Sequence, residues 1–154
     1  MNILIALDGS SCSMNAVEEV IRRPWPEQTR IKAVHIVEPY HPVRGAWHAN
    51  YVPAVLKVQE ELLEAGKHLV EEPTKMLGAC FGEKNVSCEV HEGYTADMIL
   101  DIAESWPADL IVVGSHGRKG ITRFLLGSVS QSIVSHAPCS VEVIKQKIKT
   151  EDRK

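Results

Sequence analysis

Four apolar residues in an unbroken row, Leu110, Ile111, Val112 and Val113, constrain this chain more than anything else in it. Such a run suits a strand buried on both faces of a parallel sheet. It stops at Gly114. Gly117 follows after two residues, and after nine more come Gly127 and Ser128, with Val129, Ser130, Ile133 and Val134 at helical spacing. The pattern is a strand, a glycine loop and a second glycine where a helix begins. Glycine lets backbone N–H groups turn toward a ligand with no Cβ in the way. A helix start adds unpaired N–H donors and the positive end of the dipole. The hydroxyls of Ser128 and Ser130 extend the donor set, and Arg118, Lys119 and Arg123 bring positive charge between the glycines. The combination reads as a phosphate cradle, against the plainer alternative of a turn that merely needs glycine. It is neither a P-loop nor a dinucleotide loop, since Gly-x-x-x-x-Gly-Lys-Ser/Thr is absent and no Gly-x-Gly-x-x-Gly follows the first strand.

Residues 2–7 (NILIAL) are a second apolar run, ending at Asp8-Gly9-Ser10-Ser11. Ser10 or Ser11 caps a helix with the stripe Met14, Val17, Val20 and Ile21, closed by Pro24 and Pro26. Asp8, at the carboxyl end of a parallel strand, faces the ligand crevice; a turn aspartate bonding its own backbone is the alternative. Residues 31–37 (IKAVHIV) form a third strand, with His35 as a satisfied core histidine. Residues 38–53, rich in proline, read as a long irregular loop, whose Tyr40, Trp47 or His48 packs on the surface or covers a bound base. From Ala54 a helix follows with Val55, Val58, Leu62, Ala65 and Leu69 on one face; Pro73 kinks or ends it, and Gly82 breaks it. Residues 86–90 are a strand stopped by Glu92-Gly93. Thr95 caps a helix that buries Met98, Ile99, Ile102 and Ala103 and ends at Trp106-Pro107. The last strand is Ser140–Ile144.

Alternation of strands and helices implies right-handed crossovers, a parallel sheet and helices on both faces. In such sheets ligands lie beyond the strand carboxyl ends where the winding reverses. The 154 residues are one domain's worth of chain: a domain over residues 1–145 and a charged tail, 146–154, expected to fray. A net charge of −3 argues against nucleic-acid binding. No apolar run is long enough to span a bilayer, and strand-like sequence from Asn2 leaves no room for a signal peptide. Cys12, Cys80, Cys88 and Cys139 show neither a CxxC pair nor metal-ligand spacing. Free thiols in a reducing cytoplasm are expected.

These residues resemble the universal stress proteins. The likeness runs nearly end to end, through residues 3–8, 35–37, 92–99 and 108–144. Gly114, Gly117, Gly127 and Ser128 match the family's ATP-binding pattern, Gly-x2-Gly-x9-Gly-Ser/Thr, with no departure. The resemblance implies an α/β, Rossmann-like domain of the adenine nucleotide alpha hydrolase-like type, its five-stranded parallel sheet in order 3-2-1-4-5. It places Asp8 near the ribose and the metal, Mg or Mn as the counter-ion of ATP, and the backbone beside Ile36 against adenine. The implied nucleotide-binding set is Ala6, Asp8, Ile36, Gly114, Ser115, Gly117, Arg118, Gly127, Ser128, Val129 and Ser130. A homodimer through the last strands, Ser140–Ile144, is implied as well. Glu142 departs from the aliphatic residue usual there, and the segment at 40–53 varies within the family.

The motifs position a nucleotide without supplying a general base. Asp8-Gly9-Ser10-Ser11 is not the Ser-Gly-Gly-x-Asp-Ser loop of ATP pyrophosphatases, and His116 lacks the paired histidine of nucleotidyltransferases. The expectation is a cytoplasmic, ATP-dependent binding module of the stress response with no catalytic residue. A slow ATPase or other adenine-nucleotide-processing enzyme of the same fold is the alternative.

Overall fold

The computed structural model of the chain describes residues 1–41, 52–117 and 126–145. The order is β1 (Asn2–Ala6), α1 (Ser11–Arg22), β2 (Arg30–Val37), α2 (Val52–Phe81), β3 (Val86–Glu92), α3 (Thr95–Ser105), β4 (Leu110–Gly114), α4 (Ser128–His136) and β5 (Ser140–Ile144), with a 3-10 turn before β3. All strand pairs are parallel, in the order β3-β2-β1-β4-β5. The chain therefore winds outward from β1 through β2 to β3, then restarts on the other side of β1. The winding reverses between β1 and β4, and the carboxyl ends of those strands carry Asp8 and Gly114.

The apolar runs fill both faces of the sheet, as expected. Ile3, Ile5, Ile31, Ala33 and Val112 pack against Ala16, Val17 and Val20 of α1 and Val70 and Leu77 of α2. Leu4, Val34, Ile36, Ile111 and Val113 pack against Ile99, Ile102 and Ala103 of α3 and Ile133 of α4. Each fully covered Ile, Leu or Val contributes about 1.5–3 kcal/mol. That explains why β1 and β4 carry apolar residues at successive positions.

Five local readings change. The buried side of α1 is Cys12, Ser13, Ala16, Val17 and Val20, with Met14 and Ile21 only partly covered. Helix α2 begins at Val52 rather than Ala54, because Pro53 falls in the first turn, where a missing N–H costs nothing. It runs unbroken through the buried Pro73 to Phe81, and the Thr74 hydroxyl bonds the Val70 carbonyl beside it (2.6 Å). The buried line of α2 is Gly66, Val70, Pro73 and Leu77, while Leu62 and Ala65 are exposed. The helix rolls onto Gly66, where a Cβ would stand 2.7 Å from His35 Cδ2 and 3.2 Å from Val90 Cγ1. At α3 the cap position is Tyr94, not Thr95, and the Thr95 hydroxyl donates instead to Glu38 (2.9 Å).

Other readings hold. Ser10 Oγ caps α1 by accepting from the Ser13 N–H (3.2 Å). His35 is buried, its Nδ1–H donating to the Leu7 carbonyl (2.7 Å). The four cysteines are free. Glu142 is paired: both carboxylate oxygens meet the Arg23 guanidinium, at 2.5 and 2.7 Å. Arg118, Lys119, Arg123, Trp47, His48 and the tail at 146–154 lie outside the described residues.

Candidate functional site

A crevice of about 720 Å³ opens beyond the carboxyl ends of β1, β2 and β4. Its β2 end follows from a mismatch in strand length. Pairing of β1 with β2 stops at Ala6 opposite Val34, whose carbonyl accepts the Leu7 N–H (2.8 Å). Peptide groups alternate sides along a strand, so Ile36, two residues on, also directs its N–H and C=O to the β1 side. There β1 has ended. The carbonyl of Leu7, the next acceptor in line, is taken by His35. The Ile36 N–H and C=O are thus a donor and an acceptor side by side, without a backbone partner among the described residues. Buried backbone groups are almost always paired in native proteins, so such a pair marks a place for a ligand or water.

The opposite end is built from β4 and α4. Gly127 is the cap residue of α4 and supplies no side-chain bond, so among the described residues nothing caps the first-turn N–H groups of Ser128, Val129 and Ser130 at the positive end of the helix. The loop is held from beneath. Ser115 O accepts from the Gly127 N–H (2.8 Å) and the Ser130 hydroxyl (3.2 Å), and that hydroxyl also lies 2.9 Å from Gly127 O. Ser10 Oγ donates to His116 O (3.3 Å), tying the β4 loop to the start of α1. Asp8 stands between the two ends, its Oδ1 accepting from the Ser10 N–H (3.0 Å). Gly117 closes on it, and a Cβ there would be 2.7 Å from Asp8 Oδ2.

Ala6, Asp8, Ile36, Gly114, Gly117, Gly127, Ser128, Val129 and Ser130 all line the crevice. Ser115 lies beneath it, buried, with its hydroxyl near His116 Nδ1 (3.1 Å). Ser130 is buried and its hydroxyl hydrogen is spent on the loop carbonyls, so its side chain is not the crevice donor that was expected. Glu38, Leu62, Ala65, Thr95 and His116 join the lining unannounced. Glu38 was legible in principle, because it directly follows the third apolar run. The α2 residues were not, since nothing local tells which strand end a helix overhangs. Asp8 and Glu38 are carboxylates, and the described lining contains no Lys or Arg.

Comparison with known proteins follows the same lines. The profile of the universal stress protein family matches residues 1–145. A universal stress protein of Methanocaldococcus jannaschii is 32% identical over 148 residues, covering 94% of this chain and 81% of that protein. Among solved structures, the universal stress protein UspA of Lactobacillus plantarum superposes with a TM-score of 0.78 at 26% identity, covering 94% of this chain and 97% of its own. Two more distant neighbours share the fold and were solved with nucleotides. One is a universal stress protein in complex with cAMP (TM-score 0.65, 23% identity, 94% and 96% covered). The other is a family protein of Arabidopsis thaliana with AMP bound (TM-score 0.62, 18% identity, 96% and 92% covered).

Proposed function

This chain belongs to the universal stress protein family, and we propose that it is a binding module for an adenine nucleotide, ATP foremost, held in the crevice at the winding reversal. The observation that carries this is the Ile36 N–H and C=O, which have no backbone partner among the described residues, on β2, two strands away from β4, whose following loop leads to the N-terminus of α4. At ~4.8 Å per strand, β2 and β4 lie roughly 10 Å apart. Adenine offers an acceptor, N1, beside a donor, N6, which matches the Ile36 pair. Phosphate matches the α4 N-terminus. The ribose then falls over β1, beside Asp8. The volume is in the range of small-ligand sites, and the AMP and cAMP held by neighbours of the same fold support the assignment.

Asp8 stands where a cation bound to the phosphates would meet a carboxylate. No group of three metal-ligating side chains occurs among the described residues. In this reading Mg or Mn enters with the nucleotide, held by phosphate oxygens and the Asp8 carboxylate, as is usual for Mg²⁺. The Ser115–His116 contact has the form of a nucleophile with its base, but Ser115 is buried beneath the crevice rather than lining it, and the module binds and releases rather than turns over. Calorimetric titration with ATP, AMP and GTP at saturating Mg²⁺, with mass spectrometry of any co-purifying nucleotide, tests the reading. Adenine-nucleotide affinity tighter than millimolar is expected. Its absence sinks the proposal, and turnover of ~1 per second or faster replaces it with the enzyme alternative.

The four free cysteines fit the reducing cytoplasm as the place of action. The module works as a homodimer through β5, which among the described residues is an edge strand paired with β4 alone. Glu142 does not obstruct this, because Arg23 of its own chain engages it. Sedimentation showing monomer alone at tens of micromolar, roughly the range of modest interfaces, would remove the dimer from the proposal.

A further inference from the structure

Resting on that reading of the crevice, we infer that Glu38 makes the site selective for 6-amino over 6-oxo purines. Glu38 follows Val37, the last residue of β2, and lines the crevice. It therefore stands two residues beyond Ile36, on the carbonyl side of the peptide pair assigned to the base. Its position is fixed from across the mouth. The Thr95 hydroxyl at the start of α3 donates to Oε1 (2.9 Å), and the Gly93 N–H donates to Val37 O (3.0 Å), holding the tips of β2 and β3 together.

The chemistry of the two purine edges decides the sign. A 6-amino group carries two hydrogens. One suits the Ile36 carbonyl, and the other points onward, toward the mouth where Glu38 stands. An ionised carboxylate only accepts hydrogen bonds, so it completes the recognition of the amino group. A 6-oxo purine turns an oxygen toward the same place, where a carboxylate repels it, and reverses donor and acceptor opposite Ile36. Sites that pair a polar group of the ligand reject analogues lacking it far more strongly than apolar pockets reject a missing methylene. The phosphate end is unaffected, because β2, which Glu38 follows, stands two strands away from β4 and its Gly114.

The test compares dissociation constants of ATP and ITP, which differ at this edge, for the wild-type protein and for Glu38→Gln and Glu38→Ala. Wild type is expected to prefer ATP. Glu38→Ala lowers that preference by about tenfold, the lower end for a hydrogen bond to a charged group at an exposed site, and Glu38→Gln lowers it less. Glu38 is exposed, and circular dichroism checks that each variant folds. The wild type supplies an independent arm: N6,N6-dimethyl-ATP, which offers neither hydrogen, binds at least tenfold more weakly than ATP. An unchanged ATP-to-ITP ratio in folded Glu38→Ala overturns this inference and leaves the nucleotide site standing. If variants do not fold, equal affinity of wild type for ATP and the dimethyl analogue overturns this inference, and with it the pairing of N6 with the Ile36 carbonyl. Failure of wild type to bind any adenine nucleotide removes both readings.

Discussion

Gly117→Ala tests how the phosphate loop and Asp8 are coupled. The added Cβ would stand 2.7 Å from Asp8 Oδ2, about 0.7 Å short of the 3.4 Å where ordinary contact begins. Two responses are open. The Asp8 side chain rotates some 30° off its rotamer, costing of order 0.5–1.5 kcal/mol, and strains the bond its Oδ1 accepts from Ser10, worth about 1 kcal/mol. Otherwise the loop backs away, and the contact of Ser10 with His116 O weakens. Either way the fold loses about 1–2 kcal/mol, a small part of a domain's stability. Nucleotide binding loses more, because the displaced carboxylate is the group assigned to the ribose and cation. A hydrogen bond to a charged group is worth about 1.5–3 kcal/mol, so the dissociation constant for Mg-ATP rises about 10- to 100-fold. Calorimetric titration of folded protein reads this directly. The mechanism itself is read by a double-mutant cycle. If the methyl acts through Asp8, Gly117→Ala has little further effect on affinity in an Asp8→Ala background. Additive losses in the two variants would refute the coupling, and unchanged affinity in folded Gly117→Ala would refute the placement of Asp8 at the ligand.

Other outcomes follow from the packing and the titrating groups. Gly66→Ala should destabilise the protein by about 1 kcal/mol in urea denaturation, since overpacking of ~1–3 kcal/mol against His35 and Val90 outweighs a helix-propensity gain of ~1 kcal/mol; a raised midpoint would show that α2 has room there. Burial pushes the Glu89 carboxyl up, but hydrogen bonds from Lys32 and His91 outweigh it and hold it below its ordinary value. A depressed carboxyl stabilises the fold above the ordinary carboxylate range and loses that contribution as pH falls through the lowered value. Glu89→Gln should therefore narrow the difference in Tm between about pH 7 and about pH 3, and an unchanged difference counts against the pairing. Cys80 is exposed, Cys12 is buried, and burial pushes the thiols of Cys88 and Cys139 up. Maleimide should mark Cys80 first in peptide mass spectra, and a first adduct elsewhere would contradict this packing.

What could be read from the sequence divides along a physical line. Strands β1, β2 and β4 stand out because they are covered on both faces and must be apolar at successive positions, and the sheet order follows once the family resemblance is granted. The roll of α2 does not stand out. A stripe of large apolar residues drawn on the helix selects Leu62 and Ala65, yet the helix meets the sheet at Gly66, which has no side chain to announce itself. Pro73 misleads for a related reason. Propensity prices its lost N–H, while the gain from burying its ring in the core appears only in the tertiary structure. Thr95 has the chemistry of a cap but bonds Glu38, on another strand, and no local pattern carries that pairing.

The glycine motif shows the same division inside the site itself. Its spacing is legible and points to phosphate, but its glycines are not there for unusual backbone angles. Among the described residues the glycines with positive φ are Gly9, Gly82 and Gly93, none of them in the motif. What Gly114, Gly117 and Gly127 share is proximity. A Cβ at Gly114 would meet Cys12 Cβ at 2.8 Å and the Ser13 N at 3.0 Å. At Gly117 it would meet Asp8, and at Gly127 the Ser115 carbonyl at 3.3 Å. Gly114 and Gly117 are therefore the imprint of Asp8 and the start of α1 pressing against the β4–α4 loop, while Gly127 lets that loop close on itself. That contact sets Asp8 beside the loop and leaves the α4 N–H groups open. Phosphate recognition and the placement of Asp8 thus come from one packing constraint between two segments about a hundred residues apart, as the 106-residue separation of Ser10 and His116 records. A substitution that loosens this contact should disturb both functions together, even where it touches neither ligand nor carboxylate.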